Sequence, residues 1–311
     1  MKSNAELRNL AWKRLWADKW FWRLFGGGLL LGLCGYAVQI VLSDILGRLG
    51  VQSWFDYLGA VVQNRQDLTT PVPQLTPDFI SQACSSTVLT MFFSFIMAGI
   101  TTYGCAVILK KCLANDERGW LGEAFGGFKY PFGMLWLQLR YWLIWIGWSL
   151  VAFGVPGFFC GAGYPLVKKL SVLQLALASG IGVMLLFCWA IWIYCIPFYR
   201  YRFLWLVKAE HPDWSAGACI AFCRKLMKGN MLKAFRLDCS YWKPITAVLV
   251  LILLVMASAT AQPSAPAPLE AVLGVVVVIA CCAGLAAIVV LGQYIRVGQG
   301  FLYEELKDNP R

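Results

Sequence analysis

The sequence predicts an all-α fold, a polytopic membrane protein built as a bundle of six transmembrane helices with amphipathic helices on one surface. Three observations carry the prediction. First, six apolar stretches, about Phe21–Leu42, Ala83–Leu109, Phe132–Val155, Ser171–Pro197, Ile245–Ala261 and Ala271–Ile295, lie near or above the ~20 residues a helix needs to cross ~30 Å of hydrocarbon. Second, 59% of the residues are apolar and only 14% charged, so no segment can build a separate water-soluble core and residues 1–311 form a single membrane domain. Third, the basic residues follow the alternation that the stretches impose. With the N-terminus cytoplasmic, 22 of the 27 Lys and Arg fall on inner segments and Arg48, Arg65, Lys168 and Lys169 on outer ones, with Arg140 inside a span. The positive-inside rule then places both termini in the cytoplasm.

The net charge of +11 would suggest nucleic acid in a soluble chain. Here the excess follows the topology, so the expected partners are anionic headgroups of the inner leaflet and an unidentified protein, with no nucleic acid. The first span is expected to stay attached, because about twenty residues of helix-forming sequence precede it and its end lacks a small-x-small cleavage pattern. Twelve cysteines include no CxxC pair. Those inside spans behave as small apolar side chains, and Cys84 and Cys160, both near the outer surface, would form a disulfide only if the helices bring them together, which is the less favoured reading.

Residues 1–20 read as a basic helix lying along the inner membrane surface. Leu7, Ala11 and Leu15 form one row, Trp12, Trp16 and Trp20 a second, and Lys13, Arg14 and Lys19 lie between. Gly26-Gly27-Gly28 favours close helix contact. The external segment Ser43–Gln82 suggests a surface helix around Trp54–Val62, and Thr76-Pro77-Asp78 supplies an N-cap, a first-turn proline and a first-turn carboxylate for the second span. Lys110 and Lys111 mark its inner end. Gly119–Gly127 is too short to span, and Tyr130-Pro131 opens the third helix.

In the cytoplasmic segment 199–243, Asp213 or Ser215 caps a helix whose face is Ala216, Cys219, Ile220, Cys223, Met227 and Met231, with Arg224, Lys225 and Lys228 on its flank and Gly229-Asn230 as its stop. Lys233 continues the basic set. The run Arg224–Asn230 echoes Lys13–Lys19, which reads either as an internal repeat or as the common look of basic helices before spans. The prolines of Gln262–Glu270 end the fifth span, and a short tail follows Ile295.

These inner-surface motifs resemble the uncharacterised bacterial multi-pass membrane family catalogued as domain of unknown function 975. They are Asn4-Ala5-Glu6-Leu7, Phe198-Tyr199-Arg200-Tyr201, Glu210-His211-Pro212-Asp213, Arg224-Lys225-Leu226-Met227-Lys228-Gly229-Asn230, Phe235-Arg236-Leu237-Asp238 and Phe301-Leu302-Tyr303-Glu304-Glu305-Leu306. The chain departs from the pattern in Ser43–Gln82 and at Asp18-Lys19, where the first basic helix of the family has Gly-Asn. The resemblance implies a bacterial cytoplasmic membrane and supplies no catalytic residue.

The six stretches contain no Asp, Glu or His, so the expectation is a non-enzyme without metal or cofactor. His211 reads as a solvated loop residue. Arg140, about eight residues into the third span, either faces a water-filled cavity with Gln138 and binds an anion, or snorkels because the span begins later; the second reading is preferred. The aromatics Trp136, Tyr141, Trp142, Trp145 and Trp148 read as bundle packing, and Gln39, Gln174 and Gln293 as hydrogen-bonding links between helices. The leading function is an accessory, scaffolding or lipid-engaging membrane protein. The alternative is a small-solute or lipid transporter with a path near Arg140.

Overall fold

In a computed structural model the chain is described over residues 2–48, 76–158, 172–248, 250 and 267–309. It is all-helical, with no strand among those residues. Five of its helices are long and apolar enough to cross a membrane: Asn4–Arg48, Pro77–Ala114, Pro131–Phe158, Met184–Glu210 and Gly284–Asp308. Most of the fifth predicted stretch, Ile245–Ala261, the surface helix around Trp54–Val62 and Cys160 lie outside the described residues.

Helix α1 (Asn4–Trp16) opens on a capping box, in which Glu6 N–H donates to Ser3 Oγ at 3.3 Å and Ser3 N–H to Glu6 Oε2 at 2.7 Å. The predicted row Leu7, Ala11 and Leu15 is fully buried. It faces protein and not the bilayer surface: a side chain built at Gly298 would come 3.6 Å from Ala11 Cβ, and Trp12 meets Tyr294 edge-on at 5.4 Å. Trp12 and Trp16 stay exposed, whereas Trp20 is buried and donates to Asn115 Oδ1 at 3.0 Å. An amphipathic row requires a cover, and here the last helix supplies one before lipid can.

Helix α2 (Trp20–Arg48) follows a tight joint at which Ala17 is extended (φ −69°, ψ 143°) and Asp18 left-handed (φ 49°, ψ 29°). The second basic motif is built alike. Helix α8 (Ala216–Met227) ends on extended Lys228 (φ −63°, ψ 116°), Gly229 follows at φ 80°, and α9 (Met231–Cys239) begins. Both echoing sequences follow a helix with one extended residue and then left-handed backbone before a new helix, Gly229 alone in the second and Asp18 with Lys19 (φ 60°) in the first. Left-handed backbone suits glycine and strains other residues. Asp18→Gly should accordingly raise stability by about 0.5–1 kcal/mol and Gly229→Ala lower it by about as much, read as thermal midpoints in detergent.

Helix α3 (Pro77–Ala114) starts as the sequence predicts, with Thr76 Oγ1 accepting from Phe79 N–H at 3.2 Å, and stops at left-handed Asn115 (φ 55°). It is the spine of the bundle. Gly27 of α2 lets it approach: a side chain built there would strike Ile108, whereas one at Gly28 would stand at an ordinary 3.8 Å from Cys105 Sγ. Gln39 donates to Ser94 Oγ at 2.7 Å across the same pair, the polar link expected of it. The short helix α4 (Trp120–Ala124) and a 3-10 turn (Phe125–Lys129) fold back on α3, where Gly104 lies under the carbonyl of Ala124.

Helix α5 (Pro131–Ser149) opens at Tyr130-Pro131 and passes through a π-helical segment (Leu150–Gly154). Its aromatics pack as expected of bundle residues, with Trp145 stacked on Tyr194 at 5.7 Å and Trp142 tilted on Phe95 at 5.9 Å. Helix α6 (Val172–Arg200) contains Pro197 instead of stopping there. A proline in a membrane helix is tolerated where neighbours satisfy the freed carbonyl. Helices α7 (Leu204–Glu210), α8 and α9 follow, then a helical stretch at 242–248.

The predicted short tail after Ile295 is in fact helix. Helix α10 runs from Ala267 to Asp308 without interruption, 42 residues or about 63 Å at 1.5 Å per residue, twice the hydrocarbon thickness. Its last part joins α1, the end of α3 and α7–α9 in a packed cap at one end of the bundle. Most of the fully buried side chains, among them Leu7, Leu15, Trp20, Phe203, Met227, Tyr241 and Leu306, belong to this cap.

Candidate functional site: the polar seams and basic surface of the cap

Carboxylates that the sequence scatters over 200 residues meet cations inside the cap. Asp238 of α9 is the densest node. Its Oδ2 accepts from Tyr199 Oη at 2.9 Å and from the Arg202 guanidinium, and its Oδ1 from Gln299 Nε2 at 3.0 Å. The Arg202 side chain is only 11% exposed and also lies over the rings of Phe198 and Tyr199. Burying a charge this far is tolerated only with a full set of partners.

A second seam joins α7 to α10, where Glu210 accepts from Tyr303 Oη at 2.5 Å and from Lys307. A third closes the two ends of the chain on each other. Glu305 Oε1 accepts from the Lys2 backbone N–H and from Lys233 Nζ, both at 2.8 Å. Lys208, 6% exposed, is held by the carbonyls of Pro212 and Trp214 at 2.6 and 2.7 Å. His211 stacks on Trp214 at 3.9 Å and 9° between planes, so it wedges the loop and is not a freely solvated residue.

The fourth seam links α3 to the α4 loop. Lys111 Nζ contacts Glu123 at 2.9 Å, Asp116 at 3.1 Å and the carbonyl of Arg118 at 2.5 Å, and Arg23 pairs with Glu117 at 2.9 Å. The Arg118 N–H and then Lys111 hold the Asp116 carboxyl below its usual value of 3.8, and Arg23 holds Glu117 below 4.5. A carboxylate with a depressed folded pKa adds stability above its unfolded pKa and loses it as pH falls through the folded one. The seam should therefore contribute fully at pH 7 and fade below about pH 4. In thermal unfolding at pH 7 and pH 3, the double variant Asp116→Asn/Glu117→Gln should start lower than wild type at pH 7 and lose less on acidification.

The seven cations that the sequence nominates for anionic lipid separate in space. Lys13, Lys19, Arg224, Lys225 and Lys228 are exposed and Arg14 half-buried. Lys233 is turned inward to Glu305 and serves as a strut. The apolar face of α8 beside them, Ala216, Cys219, Cys223 and Met227, is buried against the protein, which leaves Arg224, Lys225 and Lys228 on its exposed flank.

The two residues nominated for an intramembrane polar site do not converge. Gln138 is buried where α5 crosses α3, since a side chain at Gly99 would meet its Cβ at 3.5 Å. Arg140, two positions on and so about 200° around the helix, lies over the Trp136 ring at 5.0 Å and ends against Gly217 in the first turn of α8. It thereby touches the cap. No cluster of three or more His, Cys, Asp or Glu able to hold a metal occurs among the described residues.

The nodes Tyr199, Arg202, Asp238, Gln299 and Tyr303 escape a reading by spans because their partners are distant in sequence. Signals were nonetheless present: Tyr199, Glu210, Asn230, Asp238, Tyr303 and Glu305 all lie in the motifs that carry the family resemblance, and those motifs are what the cap brings together. No family model matches the chain, and no curated protein or solved structure is detectably similar to it.

Proposed function

We propose that this chain is a non-enzymatic accessory or scaffolding protein of a bacterial cytoplasmic membrane, crossing it six times, whose cap lies in the cytoplasm and engages anionic lipid headgroups. The observation that carries this reading is the division of cations in the cap. Arg202, Lys111, Lys233 and Lys307 are consumed by internal carboxylates, while Lys13, Lys19, Lys225 and Lys228 are exposed and enter no ion pair among the described residues. Each such cation near an anionic leaflet contributes up to about 1 kcal/mol before screening.

The distribution of basic residues supports the orientation. The geometry of the chain ends supports a sixth crossing. Tyr241 sits in the cap with its ring 4.8 Å from Tyr294, and α10 begins at Ala267, about 40 Å back along that helix. Tyr241 and Ala267 thus stand about a span's length apart, which supports the sixth crossing. A transport path near Arg140 is the weaker reading, because Arg140 is occupied by Trp136 and α8 and Gln138 by the α3 crossing.

Two measurements test the proposal. Single cysteines at Ser3 and Lys307 in a cysteine-free background should be protected from impermeant label in intact cells; labelling from outside would overturn the topology. Lipid copurified from native membranes should be enriched in anionic species, and replacing Lys13, Lys19, Lys225 and Lys228 by glutamine should remove most of that enrichment. Unchanged enrichment in the variant would overturn the role of the basic surface.

A further inference from the structure

A cavity of about 840 Å³ between α5 and α6 is almost wholly apolar, but a second of about 730 Å³ is amphipathic. It lies between α2, α3, α10 and the start of α7, distinct from the exposed basic surface. Its apolar part is walled by Leu24, Leu29, Ile288 and Val289, with the glycines Gly28 and Gly32 leaving space on α2. Its polar part is a stripe on α10, Gln293, Arg296 and Gln299, spaced by three and so aligned on one side of the helix.

Two cations reach this polar part and they differ in kind. Arg202 is neutralised by Asp238, and Gln299 is fixed by the same carboxylate. Arg296 is exposed and enters no ion pair or side-chain hydrogen bond among the described residues. Across the cavity from α10 stands Cys105 on α3, five residues before Lys110, or about 8 Å of rise. On the orientation proposed above, with Lys110 at the inner end of its span, this unpaired guanidinium would stand near the headgroup level of the inner leaflet, beside a slot that suits a hydrocarbon chain.

Resting on the lipid-engaging reading above, we infer that this cavity is a binding site for a single anionic phospholipid, its phosphate on Arg296 and Gln293 and an acyl chain along Gly28 and Gly32. Guanidinium grips phosphate in two places, which gives the site a headgroup preference that the apolar slot alone lacks.

The test uses the full chain purified in detergent, its thermal unfolding midpoint and native mass spectrometry, with dioctanoyl phosphatidylglycerol, dioctanoyl phosphatidylcholine and inorganic phosphate as probes. The expected result is a saturable rise in midpoint with phosphatidylglycerol, one lipid retained per chain, a weaker response to phosphatidylcholine and none to phosphate. Arg296→Leu should weaken phosphatidylglycerol about tenfold and erase its advantage over phosphatidylcholine. Gly28→Leu should abolish the response to both lipids while leaving the unliganded midpoint in place, since its Cβ would stand at an ordinary 3.8 Å from Cys105 Sγ.

Equal stabilisation of wild type and Arg296→Leu would overturn the inference. So would an equal shift with phosphate alone, which would mark a free-anion site, or no saturable response to phosphatidylglycerol. The glutamine variant of Lys13, Lys19, Lys225 and Lys228 should retain the saturable response. The failure of the surface reading and the failure of this site are thereby distinguishable.

Discussion

Replacing Asp238 by alanine should cost about 3–5 kcal/mol, read as the shift in thermal or detergent unfolding midpoint and as loss of membrane abundance. The size of the effect follows from what is left behind. The Arg202 side chain, 11% exposed, would lose its carboxylate, and Tyr199 Oη and Gln299 Nε2 would lose their acceptor in the same step. An unpaired buried charge costs far more than the intact pair contributes, because the charge can no longer be solvated by either water or protein. Asp238→Asn keeps an acceptor for Gln299 but not the charge, so it should fall between alanine and wild type. A change below about 1 kcal/mol in the alanine variant would show that Arg202 escapes to solvent and that the node is not structural.

The second large effect is expected at Gly104, where α2, α3 and the α4 loop meet. An alanine Cβ there would stand 2.5 Å from Leu31 Cδ1 and 2.6 Å from the backbone carbonyl oxygen of Ala124. Leu31 is 1% exposed and Ala124 fully buried, so neither has room to retreat and the loop must shift as a body. Overpacking of this kind costs about 1–3 kcal/mol and occasionally more. Gly104→Ala should lie at the upper end, whereas Gly26→Ala, with nothing within 4 Å of its built Cβ, should be neutral or slightly stabilising through helix propensity. Parallel melting curves of the two variants check both statements, and equal midpoints would refute the close crossing.

How much of this was legible in the sequence depended on the range of the interaction responsible. Thr76, Pro77 and Ser215 act within one helical turn, and their caps stand where local chemistry places them. Glycines that admit a neighbouring helix were recognisable as a run, though of the three only Gly27 makes the close approach and Gly26 faces open space. The rows on α1 and α8 were correctly apolar, but a pattern identifies a face without identifying its cover. Lipid and protein satisfy the same pattern, and Leu7, Ala11 and Leu15 found protein.

The polar nodes were harder for the same reason at longer range. Asp238 lies 36 residues from Arg202 and 61 from Gln299, and no periodicity links them. Of the nominated cations, Lys233 looked like its exposed neighbours because a lysine near a span has one appearance whether it meets a headgroup or a buried carboxylate such as Glu305.

The junction of Lys2 with Glu305, 303 residues apart, sets an order of events in the making of the molecule. At a synthesis rate of about 5–20 residues per second, roughly 15–60 s separate the emergence of α1 from that of its partner. Throughout that interval Leu7, Ala11 and Leu15 have no native cover, and the helix must wait in some provisional lodging. Bilayer surface is the nearest one, and Trp12 and Trp16, which remain exposed in the finished cap, are the side chains that would hold it there. The first helix is thus seated late, and the cap closes only after Glu305 has emerged.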